Sequence, residues 1–375
     1  MIGNPLGNPL GNPLGLARTT ANGSSVGDIV TRQSPPTGNF LEADGRRLLK
    51  AMYPKLFSVI GDTYSIADFS NGFTTVTLSA SSAWTSIAYG NGLFVAISQK
   101  GLTSVSADLG QTWQAGAALP AGTWTCIAFG GGKFVAVGSA NYSYSTSDGS
   151  AWTISGAMAG NNNWSALAFG GGRFVALASN SVRTCYSVDF GATWVEGSNP
   201  PNTSWQSVTY GNGLFVAVAM SSVTAITSPD GATWTSRTLP ASSSWISVAY
   251  GNKVFVAVAS STAQMALSYD GINWFSGGAS SSIASYSIAF GCGVFVITPV
   301  SGTTFTYFPN MGQFTNNTLP FSVNSSAAAF GNGVIVIVSK SGTSAARAPV
   351  FSTENFNLPF LKPGDGSNTA YIKVT

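Results

Sequence analysis

The chain of 375 residues contains no histidine, only three cysteines, and only 8% charged residues, against roughly a quarter in an average protein. Without histidine, no nucleophile–base pair can be built on imidazole, and the commonest metal ligand is missing. Cys126, Cys185 and Cys292 are spaced without a disulfide or metal pattern. No metal and no cofactor is expected. A net charge of +3, scattered along the chain, is too weak to indicate nucleic acid. No apolar run approaches the length of a membrane span, so no membrane insertion is expected. The N-terminus lacks the basic-then-apolar pattern of a signal peptide. Outside the N-terminal region, no segment holds a helical period for more than a dozen residues.

What is present is a repeat. The stretch from Trp84 to Trp113 contains an alternating run, a Tyr-Gly-Asn-Gly turn, an apolar run from Leu93 to Ile97, and a third run closed by Ser-Ala-Asp-Leu-Gly-Gln-Thr-Trp. The first glycine of the turn recurs at Gly90, Gly130, Gly170, Gly211, Gly251, Gly291 and Gly331, at intervals of 40 residues with one of 41. A unit this regular cannot bury its own apolar face and must stack on its neighbours. Each unit reads as four strands: A (Thr85–Tyr89), B (Leu93–Ile97), C (about Thr103–Ala107) and D (from Thr112-Trp113). In A, side chains alternate between the two faces; B is apolar throughout, as a strand covered on both faces must be. The turn glycines are expected to supply positive φ for a tight hairpin. Four short strands per 40 residues predict a β-propeller blade.

The ring is expected to close on itself. TLPASSSW (Thr238–Trp245) links blade four to blade five, and the near copy TLSASSAW (Thr77–Trp84) precedes the first complete blade. Phe73–Leu78 is thus a D strand with no A, B or C before it. Blade seven has A (Ser326–Phe330), B (Val334–Val338) and C (about Pro349–Thr353), with Ser339–Arg347 as a long B–C loop and no D. The predicted fold is mainly β: a seven-bladed propeller of four-stranded blades, with Phe73–Leu78 completing the seventh so that no sheet edge is left open.

The turn between C and D carries SADLGQTW (Ser106–Trp113), TSDGSAW (Thr146–Trp152), SVDFGATW (Ser187–Trp194), SPDGATW (Ser228–Trp234) and LSYDGINW (Leu267–Trp274). These resemble the Asp-box of sialidase-type propellers, where the box is a folding element away from the ligand face. The resemblance assigns Asp108, Asp148, Asp189, Asp230 and Asp270 to structure: each carboxylate accepts backbone hydrogen bonds within its turn. Blade six keeps a remnant (Asn310–Phe314) and blade seven none.

Residues 1–25 open with a Gly-Asn-Pro-Leu tetrad that excludes helix and central strand. The segment reads either as a flexible leader or as an attachment arm whose Leu6, Leu10 and Leu14 dock into apolar pockets of a partner and hold the chain to a larger assembly. Residues 26–65 contain Gly27-Asp28-Ile29, Pro36-Thr37-Gly38, Asp44-Gly45, Tyr53-Pro54-Lys55-Leu56-Phe57, Ile60-Gly61 and Tyr64. In order and spacing this resembles the phage tail collar domain of tail fibres, with a strand at Asp28–Thr31 and a short amphipathic helix at about Arg47–Ile60. The family's Phe-x-Leu-Pro segment appears only at Phe356–Pro359, followed by a strand-like Thr369–Thr375. The propeller (66–354) is therefore expected to be inserted into a small α+β collar-like module (26–65 plus 355–375). The resemblance implies a virion tail protein, made in the host cytoplasm without a signal peptide. Its implied partners are other tail proteins through the N-terminus, a host surface glycan or receptor, and copies of itself as a trimer.

Catalysis is disfavoured by subtraction. Of the eight acids in the propeller region, five are the Asp-box residues, leaving Asp68, Glu196 and Glu354. Glycoside cleavage needs two carboxyls on one cleft, and neither an arginine cluster nor a Gly-x-Ser-x-Gly elbow occurs. No enzyme is expected. All ten tryptophans occupy two repeat positions, five in the C–D turns and five just before strand A (Trp84, Trp124, Trp164, Trp205, Trp245). The second set either packs blade against blade or forms a ring of sugar-stacking plates. Variation concentrates in the B–C loops, and a variable rim on a fixed frame is where recognition lives. The candidate receptor residues are Lys100, Tyr142, Arg183, Met220, Gln264, Lys340 and Arg347. The expected task is binding a host polysaccharide. The alternatives are a structural role, in which the propeller contacts another tail protein, and, more weakly, a glycan depolymerase.

Overall fold

A computed structural model describes residues 69, 72–160, 162–179, 181–201, 204–260, 264–279, 285–308, 314–323 and 325–350, and the backbone of five strands at 29–32, 40–42, 47–49, 355–357 and 369–373. The chain divides into two compact units, Met1–Ser70 with Phe351–Thr375, and Asn71–Val350.

In the first unit, Thr369–Lys373 lies between Ile29–Arg32 and Phe40–Glu42 in a three-stranded sheet, and Arg47–Leu49 pairs with Asn355–Asn357. Segments before and after residues 71–350 thus share the same ladders. The helix expected from Arg47 begins instead as a strand: Leu48 pairs with Phe356, and a long-range partner overrides local helical patterning. The remainder of that expected helix lies outside the described residues, as do Leu6, Leu10 and Leu14.

The second unit holds seven four-stranded antiparallel sheets. In blade 1 the strands are A (Trp84–Gly90), B (Leu93–Ser98), C (Thr103–Ser106) and D (Gln114–Ala115). The other blades repeat this order. The A strands adjoin one another all the way round, the seventh (Ser325–Gly331) against the first. Blade 7 takes its fourth strand from Thr74–Thr77, which pairs with Ser344–Arg347. Its C strand is Ser344–Pro349, earlier than the sequence suggests, because Val338 pairs with Ala345 across a short Lys340–Thr343 connection. Small side chains fit this central position: Ala345, Ala346 and Ala348 are fully buried.

The core lies between blades. Val334, Val336 and Val338 of blade 7 pack on Trp84, Ile87 and Phe94 of blade 1, whose Val95 and Ile97 on the opposite face meet Trp124 and Phe134 of blade 2. This two-sided burial explains the unbroken apolar character of strand B. The marker glycines serve the same packing. Asn91 and Gly92 take the positive φ values of the hairpin (48° and 79°), whereas Gly90 does not. A Cβ on Gly90 would fall inside the ring of Phe129, and the relation repeats in every blade until Gly331 meets Tyr89. Each glycine makes room for the next blade's aromatic ring.

Side chains join the inner edges of neighbouring sheets, where ladder bonds stop. Thr85 Oγ1 donates to the Trp124 carbonyl at 3.1 Å, Thr125 does the same to Trp164, and Ser165 to Trp205 at 2.6 Å. In the other direction, Ser86, Ser207 and Ser247 accept from the backbone N–H of Ile127, Val248 and Ile288, each at 3.2 Å. Backbone groups that would otherwise stand unpaired along the inner edges of blades 2 to 6 are thereby satisfied.

Candidate functional site

Because strands alternate in direction, the A–B and C–D turns share one rim and the B–C and D–A loops share the other. On the first rim the aspartates are engaged by their own turns. Asp108 Oδ1 accepts from Ser106 Oγ (2.8 Å) and from the N–H groups of Gln111 (3.0 Å) and Thr112 (2.9 Å), while Oδ2 accepts from Thr112 Oγ1 (2.6 Å). Asp270 accepts from Ser268 Oγ (3.0 Å), from the N–H groups of Ile272 and Asn273 (2.8 Å each), and from Asn273 Nδ2 (2.7 Å). Such bonds favour the ionised form. At Asp108 partial burial acts upward, but bonds from Thr112, Ser106 and Gln111 outweigh it and bring the pKa down to about 2. Asp148, Asp189, Asp230 and Asp270 are lowered in the same way.

Two arginines of this rim hold neighbouring turns together. Arg173 Nη1 donates to the Asp230 carbonyl at 2.8 Å, and Arg347 Nε to the Leu109 carbonyl at 2.7 Å. Arg347 therefore does not stand in a B–C loop as the sequence suggests. It lies within strand C of blade 7, paired with Val336, and its side chain is tied to the C–D turn of blade 1. An open cleft of about 340 Å³ between blades 1 and 2 is lined by Asp108, Thr112, Gln114 and Asp148. Two carboxylates do share a cleft here, but both are held ionised, and an acid catalyst needs one carboxyl that keeps its proton near neutrality.

The second rim rests on Trp84, Trp124, Trp164, Trp205 and Trp245, which stand at the start of the A strands and not before them. They are 0–1% exposed, which rules out a ring of sugar-stacking plates. They wedge between blades, and two of them bond to the preceding blade's B–C loop: Trp84 Nε1 donates to the Gly342 carbonyl at 3.1 Å, and the Trp124 backbone N–H to the Gln99 carbonyl at 2.9 Å. The loops thus stand on a rigid floor. Lys100, Gln264 and Lys340 are exposed, and Tyr142 is 44% exposed at the start of strand C. Lys340 Nζ lies 5.5 Å from the centre of the Tyr286 ring, a cation–π distance. Met220 is half-buried at the end of strand B. Arg183 makes an ion pair with Glu196 on strand D of its own blade. Lys100, Tyr142, Gln264 and Lys340 are therefore brought to one rim on four different blades, with Arg183 beside them but already paired.

The first rim also carries residues that sequence reasoning passed over. Tyr269, Ile272 and Phe275, at the C–D turn of blade 5, are 60%, 42% and 41% exposed. The available signal was an aromatic before the Asp, where other blades have Ala107, Ser147, Val188 and Pro229. Among the described residues, no group of three or more Cys, Asp or Glu could hold a metal ion, and no helix is long and apolar enough to cross a membrane. Burial pushes the thiols of Cys126 and Cys185 up to about 11, away from nucleophilic use.

Comparison with family models matches residues 28–78 to the phage tail collar domain. The match reaches the closing strand Thr74–Thr77, and it indicates a phage tail component. Comparison with curated protein sequences gives no match. Among solved structures, a streptogramin B lyase is 13% identical with a TM-score of 0.65, over 73% of this chain and 97% of that one. The virginiamycin B lyase of Staphylococcus aureus is 10% identical with a TM-score of 0.63, over 74% and 98%. A YCF48 structure bound to a D1 peptide is 14% identical with a TM-score of 0.60, over 76% and 98%. At these identities the likeness is one of fold. The Staphylococcus aureus lyase is catalytically inactive when one histidine is replaced by alanine.

Proposed function

We propose that this protein is a phage tail fibre or tail-tip component that binds a host surface polysaccharide through the B–C rim of its propeller, without covalent chemistry. The observation that carries the reading is the gathering of Lys100, Tyr142, Gln264 and Lys340 at the surface of one rim, above tryptophans whose burial fixes the frame. Exposed aromatic and cationic side chains on loops held by a rigid scaffold suit recognition of a hydroxyl-rich polymer. The collar match supports the tail assignment, and in that setting the N-terminal leader joins other tail proteins and the chain assembles as a trimer. Two considerations favour binding over catalysis. The chain lacks histidine altogether, the residue type whose replacement inactivates a lyase of similar fold, and the carboxylates at the blade 1–2 cleft stay ionised.

The test is adsorption of the fluorescently labelled full-length protein to host cells. Lys100→Ala, Tyr142→Ala and Lys340→Ala combined should reduce binding at least tenfold with the fold intact by circular dichroism. Unchanged binding would remove the B–C rim from the function, retention only on isolated virions would favour a structural tail role, and release of reducing sugar would revive the depolymerase.

A further inference from the structure

The C–D turn is built five times, which supplies an internal control. Ahead of the Asp stand Ala107, Ser147, Val188, Pro229 and Tyr269, and after the Trp stand Gln114, Thr153, Val195, Thr235 and Phe275. The carboxylate accepts the backbone N–H bonds of its turn in all five cases. The turn therefore forms whatever occupies these two flanking positions, and blade 5 alone places an aromatic at both. Tyr269 and Phe275 remain 60% and 41% exposed, with ring centres 5.5 Å apart and planes inclined by 37°. Large rings left in water on a surface this poor in charge serve neither solubility nor the turn.

We infer that Tyr269 and Phe275 form a stacking platform for the rings of a neutral polysaccharide, a second subsite on the rim opposite the B–C loops. The inference rests on the polysaccharide reading above and adds a location and a sugar class to it. An aromatic plate offers a sugar its apolar face, while hydroxyls at the ring's edge need polar partners. Polar groups lie in the same turn: Asp270 and exposed Asn273 stand between Tyr269 and Phe275 in sequence, with Asn273 Nδ2 donating to Asp270 at 2.7 Å. Asp270 is held ionised by its turn, so an acidic sugar would be repelled and a neutral hexopyranose accepted. A protein partner fits less well. A stable protein interface covers about 800 Å² on each side, whereas this platform is two rings and Ile272 bordered by polar Asn273 and Ser276.

The experiment uses the full chain on an array of neutral and acidic hexopyranose oligosaccharides. Tyr269→Ser with Phe275→Thr installs the pair that blade 2 carries. Neutral glycan binding should fall at least tenfold, with the unfolding temperature within a few degrees of the parent. Tyr269→Trp, which keeps a ring, should retain binding, and this variant decides the matter if the double replacement unfolds. If the parent binds glycans and the double variant binds equally well, the platform is refuted while the polysaccharide reading stands. If the parent binds no glycan, both fall. A preference for acidic sugars, or loss of a virion-protein contact in place of a glycan, would also overturn the platform.

Discussion

The inner edge of the propeller and its outer turns follow opposite rules. At the inner edge the same contact is made in every blade: a glycine beneath the next blade's aromatic ring, from Gly90 under Phe129 round to Gly331 under Tyr89. At the outer turns the carboxylate bonds persist while the flanking residues range from Ala107 to Tyr269. Closure explains the difference. Each inner contact belongs to a ring of seven, so an error in one displaces both neighbours. An outer turn is a local hairpin whose hydrogen bonds are complete within a few residues. Function can therefore be added at the outer turns and loops without disturbing closure.

The largest effect expected from this contrast is at Trp164. Its side chain is fully buried between blades 2 and 3, and Trp164→Ala should cost about 3–5 kcal/mol, read as a shift of the urea midpoint. A loss below about 1 kcal/mol would mean that the blades do not depend on this wedge. Next come the two glycines that flank Asn91. Gly90→Ala drives a Cβ into Phe129, whereas Gly92 at φ 79° has open space around it and only backbone strain. Overpacking should cost up to about 3 kcal/mol and the strain about 1 kcal/mol. Equal losses would mean that Gly90 is a turn residue like its neighbour.

That pair also shows how far residues alone reveal the structure. The 40-residue period exposes the blade count, and the repeated string before Trp84 and Trp245 exposes the closure, because both are patterns of recurrence. The role of Gly90 is not visible that way, since Gly-Asn-Gly reads as turn chemistry throughout and only the next blade's ring distinguishes its ends. Strand C of blade 7 is hidden for another reason. Ser344–Pro349 is alanine-rich and carries no strand signal of its own, so its state is set by its register against Val334–Val338. The helix expected at Arg47 fails in the same way, overridden by pairing with Asn357. At the candidate site, recurrence identifies the tryptophans but not which set is buried, and Arg347 is misplaced together with its strand. Tyr269 stands out only when the five turns are compared and exposure is known.

A smaller effect is expected at the outer turns, with a pH signature. The folded pKa of Asp108 lies below its ordinary value of 3.8, at about 2. The ionised form is thus favoured by folding, and its contribution is complete above pH 4 and lost as pH falls from about 4 toward 2. Asp108→Asn should lower stability by about 1 kcal/mol near neutrality, a figure already reduced for solvent exposure. The difference between variant and parent should shrink across that acid window. A difference independent of pH down to 2 would show that the turn needs the shape of the side chain and not its charge.

The smallest change in stability belongs to the B–C rim. Tyr142 opens strand C of blade 2, pairs with Ala157 and remains 44% exposed. Its truncation removes one partly exposed cross-strand contact, worth about 0.5 kcal/mol. Tyr142→Ala should therefore unfold within a few degrees of the parent while adsorption to host cells weakens severalfold, whereas Trp164→Ala should lose stability and adsorption together. This crossed outcome is what separates a frame from a binding surface. Were Tyr142→Ala to destabilise the protein as much as Gly90→Ala does, the rim loops would be involved in the closure, and recognition would have to be sought on the opposite rim beside Tyr269.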